Sequence, residues 1–394
     1  MGKRLRKLKR RLAIALLVLA IASAASIAGY LHQGGDLSDL PKSIEESLRN
    51  ASLSEELQVR AGSWLKRVRE SLGGGSREPG DAEPSSKHGS IAVFFSPCKP
   101  LNPCGIDDRF LGLLEDAKES IHGAFYDLAL EEAAALLVAK HRAGLDVGIV
   151  SDTDYAGRDA IQRCVEAGVP VVFDERGAFM HNKFCVVDKE RVWTGSTNIT
   201  SNGMFRNNNN ALLIESKQLA SAFTLEFDEM FRKGAFGARS PENTPEGAVN
   251  VDGVRVECHF APEDGIQDEI LAEIREADET IDVLAFSFTS RDIAEAMARR
   301  AKKGVRIRCL FEKRNAGSTY SRDDYLARNG ALVRLDTNQH TMHHKVIIID
   351  GDTVVTGSYN FSNAAEKKND ENVLIIHGPD IAKAYTAEFE RLMP

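Results

Sequence analysis

Positive charge is scarce in this chain. Its 394 residues hold 50 Lys and Arg against 58 Asp and Glu, a formal net charge of −8. Seven basic residues (Lys3, Arg4, Arg6, Lys7, Lys9, Arg10 and Arg11) fall within residues 1–11, which carry no acid. The remainder sets 43 basic against 58 acidic side chains, a balance of −15. Sustained, sequence-blind binding to nucleic acid rests on a basic surface. The bulk charge therefore argues against a dedicated DNA or RNA binder and leaves room only for a local basic cleft. Cysteine is also sparse, at six. Cys185, Cys258 and Cys309 lie in apolar, strand-like runs and read as core thiols. Cys98 and Cys104 flank a loop containing Pro100 and Pro103. A local disulfide is the favoured reading there if the body lies outside the cytoplasm. A zinc site is the alternative, although two further ligands are not evident in the sequence.

One long apolar run stands out, Leu12 to Leu31, 20 residues without a charge. It is long enough to cross a bilayer as a helix. The basic block of residues 1–11 precedes it, which puts the N-terminus in the cytoplasm and the body outside. An uncleaved signal anchor is favoured, because the run is longer than a usual signal core. The alternative is a secreted protein, cleaved near the small residues Ala22-Ser23-Ala24. Residues 32–89 read as an amphipathic helical stalk followed by a flexible Gly/Ser/Pro-rich linker.

From residue 90 the hydrophobic pattern alternates between strand and helix periods, and it does so twice, over 90–236 and 251–394, with 237–250 as the link. Strands are expected near 90–95, 121–128, 146–151, 169–173, 181–188 and 192–195. Their counterparts are expected near 254–260, 281–288, 305–311 and 343–350. Helices fall between them and close each half, at 217–232 and 380–393. Strands and helices of this length imply an α/β fold with helices on both faces of each sheet.

The pattern H-x-K-x4-D-x6-G-S-x-N occurs once in each half. The first copy is His181, Lys183, Asp188, Gly195, Ser196 and Asn198; the second is His343, Lys345, Asp350, Gly357, Ser358 and Asn360, 162 positions later. Six residue types at identical spacing, duplicated, do not arise by chance. Within a strand, His and Lys two apart share a face. Two such strands together supply two imidazoles, two ammonium groups and neutral donors, an inventory suited to attack on a phosphodiester without metal or other cofactor. One imidazole can attack phosphorus, and the other can protonate the leaving alcohol and then deprotonate water. Lys183 and Lys345 would hold the non-bridging oxygens, and Asn198 and Asn360 can add amide donors. Ser196 and Ser358 support the oxygen site or its turns. Gly195 and Gly357 let the backbone come close. Asp188 and Asp350, of opposite strand parity to the His, face away and read as structural.

These motifs resemble the HKD signature of the phospholipase D superfamily, over roughly residues 90–394. The resemblance implies two tandem α/β domains packed as a pseudo-dimer around one shared active site, and membership implies a phosphodiesterase. The halves are of the minimal size seen in the endonuclease-like and cardiolipin-hydrolase-like members. A membrane-anchored lipid phosphodiesterase acting through phosphohistidine is therefore the first reading, with a phospholipid membrane as its partner. A metal-independent endonuclease is the second and a non-catalytic scaffold the third. In the family a carboxylate often orients the motif His. Glu371, 11 residues after Asn360, fits that role, and Asn209 is its counterpart in the first half. This predicts that Glu371 backs His343 as general acid/base, leaving His181 as nucleophile. His340 and His344, without counterparts in the first half, read as neighbours of the site. Phe125, Tyr126 and Phe286 read as core. Asn50 and Asn198 each begin a glycosylation sequon, the second coincidental because Asn198 belongs to the motif.

Overall fold

The computed structural model describes residues 86–97 and 105–393. The basic tail, the expected anchor at 12–31, the stalk and the Cys98–Cys104 pair lie outside the described residues. Among the described residues no helix is long and apolar enough to cross a membrane.

The first half contains β1 (Ser86–His88), β2 (Ile91–Ser96), β3 (Ser120–Phe125), β4 (Asp146–Ser151), β5 (Val171–Phe173), β6 (Lys183–Val187), β7 (Arg191–Gly195) and β8 (Asn209–Glu215). Its helices are α1 (Ile106–Glu115), α2 (Glu131–Arg142), α3 (Asp159–Glu166), the short α4 (Ser201–Phe205) and α5 (Lys217–Lys233). The second half contains β9 (Val249–Val251), β10 (Val254–Ala261), β11 (Thr280–Ala285), β12 (Arg306–Phe311), β13 (Leu332–Leu335), β14 (Lys345–Ile349), β15 (Thr353–Gly357) and β16 (Glu371–His377). Its helices are α6 (Ile266–Glu276), α7 (Arg291–Ala301), α8 (Asp323–Arg328), α9 (Asn363–Lys367) and α10 (Pro379–Leu392).

Each half forms an eight-stranded sheet, in the order β1-β2-β8-β7-β6-β3-β4-β5 and, counterpart for counterpart, β9-β10-β16-β15-β14-β11-β12-β13. The β3-β4-β5 and β11-β12-β13 pairings are parallel and the others antiparallel. The parallel strands are fed by helices, as parallel crossovers require. Helices α1–α3 cover the outer face of the first sheet and α6–α8 that of the second, each with its own apolar cluster. A third cluster belongs to both halves: Phe184, Phe223 and Phe227 from the first join Phe260, Tyr385 and Phe389 from the second, with α5 and α10 contributing to it. Ser216 caps α5 by accepting from Leu219 N–H, and Gly234 ends it in the left-handed region, the usual chemistry of the two helix termini.

The hydrophobic pattern does not predict strands β8 and β16. Both begin with polar residues (Asn209-Asn210 and Glu371-Asn372), which mask the apolar runs behind them. The link at 237–250 also does more than connect. Gly237 N–H donates to Asp370 Oδ1 at 2.6 Å, and the segment ends in β9.

The motif aspartates are structural. Asp188 accepts from the backbone N–H of Lys118, Glu119 and Ser120 at 2.7–3.1 Å, and Asp350 from those of Asp278, Glu279 and Thr280 at 2.7–2.8 Å. Each pins the start of the neighbouring strand to the motif hairpin. Burial alone would raise both carboxyls, but the N–H donors outweigh it and hold both below the ordinary range. Both residues have positive φ, 54° and 52°, a conformation that Asp tolerates better than most side chains. Asp350→Ala strands three donors, so it is expected to cost about 2–3 kcal/mol in denaturant unfolding. A depressed folded-state pKa stabilises above the unfolded value and is lost as pH falls through the folded value. The wild-type advantage over Asp350→Ala is therefore expected in full at pH 7 and to shrink with acidification below about pH 4.

Candidate active site

The two motif hairpins meet where the halves join. His181 and His343 lie just before β6 and β14, and each segment forms a bridge to the opposite half. His181 N–H donates to Asp370 O at 2.9 Å, and His343 N–H donates to Asn208 O at 2.8 Å. Asp370 N–H donates in return to Phe179 O, and Asn208 N–H to Thr341 O. These two short bridges place the first residue of β16 beside His181 and the first residue of β8 beside His343.

The consequence corrects the expected pairing. Glu371 does not back the histidine of its own half. Its Oε2 lies 2.7 Å from His181 Nδ1. His343 Nδ1 instead faces Asn209 Oδ1 at 2.9 Å and Ser196 O at 3.0 Å. The reason is topological. Each supporting side chain sits at the start of a central strand whose preceding residue pairs with the other half, so support crosses over.

Hydrogen-bond accounting fixes the polarity of both pairs. Asn209 Nδ2 donates to Gly203 O at 3.0 Å, and Ser196 Oγ donates to Asn209 Oδ1 at 2.9 Å. His343 Nδ1 therefore meets only acceptors and carries the hydrogen, leaving Nε2 bare. Glu371 accepts from Ser358 Oγ at 2.7 Å and Asn369 Nδ2 at 3.1 Å as well as from His181. Ser196 and Ser358 thus hold the supporting groups. Gly195 and Gly357 permit the close approach expected of them: a Cβ would lie 2.6 Å from Asn210 O at the first and 2.2 Å from Asn372 O at the second. Asn198 and Asn360 are half-buried, and the carboxamide oxygen of each has no partner.

Both lysines are buried, at 2% and 1% exposure. Lys183 Nζ donates to His181 O and Lys345 Nζ to His343 O, at 2.6 and 2.8 Å. Each ammonium also lies over an aromatic ring, Lys183 over Tyr126 at 4.7 Å and Lys345 over Phe286 at 5.1 Å. Tyr126 further packs edge-on to His181 at 4.5 Å, and Phe286 lies 5.2 Å from His343. The expectation that both rings are core is thereby corrected. They follow directly on β3 and β11, and their half-buried rings form matching walls of the site. Phe125 is core as expected. The sequence did carry a signal, an aromatic at the C-terminal end of the same strand in each half.

Two carboxylates also escaped the sequence reading. Asp152 Oδ2 accepts from Met180 N–H at 3.0 Å, and Glu312 Oε2 from Met342 N–H at 2.7 Å. Each sets the backbone immediately before a motif histidine, from the residue that follows β4 or β12. His344 lies behind the site, fully buried beside Glu388 and Asn210, a neighbour as expected. His340 sits in the loop before His343, where its carbonyl accepts from Arg314.

The electrostatics are unbalanced. Burial pushes His181 down to about 4 against the pull of Glu371, and pushes His343 well below its ordinary value, with Lys345 and Lys183 adding to the effect. Burial lowers Lys183 to about 7 and, with Lys183 alongside, lowers Lys345 well below its usual range. Glu371 is held below the usual carboxylate range because His181, Lys183 and Asn369 outweigh its burial. Glu371 is the carboxylate that lies among the two imidazoles and two lysines, and an arriving phosphodiester monoanion favours the charged form of both lysines. Among the described residues three groups of His and carboxylate side chains lie close enough together to share a cation, and none includes His181 or His343.

Comparison with known proteins agrees with this architecture. The family model "Cardiolipin synthase, PLD-like domain" matches residues 110–231 and 270–393. A Phospholipase D of Rickettsia conorii is 35% identical over 131 residues, 33% of this chain and 66% of the relative. A mitochondrial cardiolipin hydrolase of Xenopus laevis is 33% identical over 135 residues, 34% of this chain and 64% of the relative. The match thus spans somewhat less than two thirds of each relative's length. The phosphatidylserine synthase of Haemophilus influenzae Rd KW20 shares the two-domain fold, with a TM-score of 0.59 at 15% identity over 77% of this chain and 85% of that one.

Replacing Asn209 by Asp puts a carboxylate against His343 and favours its imidazolium. The limb of the pH–rate profile governed by His343 is expected to move up by about 1–3 units. Glu371→Gln removes the carboxylate that supports His181 and is expected to lower kcat by about 10²–10³-fold. An unchanged profile in Asn209→Asp would show that His343 is not the titrating group.

Proposed function

The chain belongs to the phospholipase D-like family, and we propose that it is a membrane-anchored phosphodiesterase that cleaves or transfers the phosphatidyl group of phospholipids through a phosphohistidine. The observation that carries the chemistry is the crossed pair of supports, Glu371 on His181 and Asn209 on His343. His181 Nε2 attacks phosphorus as the bond from phosphorus to the leaving alcohol breaks. N-phosphorylation leaves a cationic ring, whose Nδ1–H Glu371 neutralises throughout the life of the intermediate. The acid/base has the opposite need, because it must gain and lose a proton within one turnover. A carboxylate on Nδ1 would strengthen its hold on a proton it must give up, whereas an amide and a carbonyl orient the ring and leave Nε2 free. That role falls to His343. The arriving phosphate charge favours its protonation, it gives the proton to the departing alkoxide, and it then takes one from water or an acceptor alcohol. That oxygen attacks phosphorus, and the N–P bond breaks to return neutral His181. Lys183 and Lys345 hold the non-bridging oxygens, so no metal enters these steps.

A lipid substrate is supported by the names of the relatives, Phospholipase D and mitochondrial cardiolipin hydrolase, and by the acidic body, which suits a polyanion poorly. The rim of the pocket adds to this. Phe179, 39% exposed, packs on Tyr126 and lies beside His181, an apolar edge suited to an acylated glycerol. The apolar run at 12–31 would hold the pocket near a bilayer with the body extracytoplasmic.

The test is a competition using the full chain in mixed-phospholipid liposomes, with labelled single- and double-stranded oligonucleotides and EDTA present. Phosphatidic acid or a transphosphatidylation product, absent with His181→Asn, is expected. Cut oligonucleotide beside intact lipid would make the protein an anchored nuclease and overturn the lipid assignment.

A further inference from the structure

A second constellation of ligating side chains lies away from the active site, on the second half. Glu257 and His259 are two apart on β10 and so share one face of the sheet. His377, at the end of β16, belongs to the same face, because it pairs with Arg255 of β10. Glu269 and Glu273, one turn apart on α6, complete the set. The ligand atoms of Glu257, His259 and Glu269 all lie within 4.8 Å of one another, as do those of Glu257, Glu273 and His377. This is a mixed imidazole and carboxylate set drawn from a strand, a neighbouring strand and a helix.

The two trios are not equivalent. Arg255 already serves the second, with its guanidinium 2.7 Å from Glu257 Oε1 and 3.1 Å from His377 Nε2. His377 is further held through Nδ1 by Thr353 Oγ1 at 3.1 Å. Arg255 reaches the first trio only through the shared Glu257, at Oε1. His259 Nε2 is buried and makes no hydrogen bond, although it faces Glu257 Oε2 at 3.8 Å. A buried ring nitrogen without a hydrogen-bond partner, beside three carboxylates and one guanidinium, is a group that a cation would satisfy. Zinc bonds of about 2.0–2.2 Å put adjacent tetrahedral donors about 3.4 Å apart. The 3.8 Å separation between His259 Nε2 and Glu257 Oε2 is within a side-chain adjustment of that value.

We propose that Glu257, His259 and Glu269 bind a divalent cation of the zinc class, tying α6 to β10 at the edge of the second half. One imidazole and two carboxylates select a borderline ion such as Zn²⁺ over Mg²⁺ or Ca²⁺, which favour oxygen donors throughout. The site is structural. Strand β16 runs from Glu371 at the active site to His377 beside this cluster, about 20 Å at the rise of a strand, so the ion takes no part in phosphoryl transfer.

The test uses the full chain, stripped with chelator and titrated with Zn²⁺, read by calorimetry, by metal analysis after desalting and by thermal unfolding. One zinc per chain is expected, with a rise in Tm of about 5 °C at zinc well above its dissociation constant. His259→Ala and the near-isosteric Glu269→Gln are each expected to weaken zinc at least about 30-fold and to abolish the rise, while leaving the metal-free Tm close to that of wild type. His377→Ala is expected to keep zinc affinity within a few-fold. No stoichiometric zinc, undiminished binding in His259→Ala, or Ca²⁺ matching Zn²⁺ would each overturn the assignment.

Discussion

The bond from His181 Nδ1 to Glu371 Oε2 crosses from one half of the molecule to the other, and the remainder of the active site is arranged around such crossings. Neither half holds a complete catalytic histidine. The first supplies the ring of His181 and the amide that orients His343; the second supplies the ring of His343 and the carboxylate that supports His181. Behind these pairs the exchange continues. Thr194 bonds with Asn372, and Thr356 donates to Asn210. The shared apolar cluster built on α5 and α10 fixes the distance over which these contacts are made. Function and association of the halves are therefore one problem, and a slip at the junction would disconnect both histidines together.

The same crossings set the electrostatics. Burying two lysines is tolerable because each ammonium meets a backbone carbonyl and an aromatic face, and because one carboxylate lies among them. That arrangement gathers two lysines, two imidazoles and a carboxylate, a setting that an incoming phosphate anion charges further. Near-perfect duplication has been broken at one consequential pair, Glu371 and Asn209. This single difference separates a histidine built to carry positive charge through an intermediate from one built to pass a proton.

Much of this was legible in the sequence, because duplication makes spacing visible. The family resemblance pointed to Glu371 and Asn209, while the two motifs, the repeated strand and helix order, and the structural role of Asp188 and Asp350 follow from residue types and intervals. The partner of Glu371 did not, because sequence proximity suggested its own half. Only the pairing of 180 with 370 and of 208 with 342 shows that support is exchanged. Strands β8 and β16 were hidden by their polar first residues, which are polar because they enter the site. Tyr126 and Phe286 read as core for the converse reason. An aromatic at the end of an apolar strand reads as packing until its ring is seen beside a lysine.

The most direct measurement is to trap the phosphoenzyme by rapid acid-free quench and map the modified residue by mass spectrometry. Phosphate on His181 Nε2, in wild type and in His343→Asn alike, is what the crossed-support mechanism predicts. Phosphate on His343 would contradict it and would make the carboxylate-backed histidine the proton carrier instead.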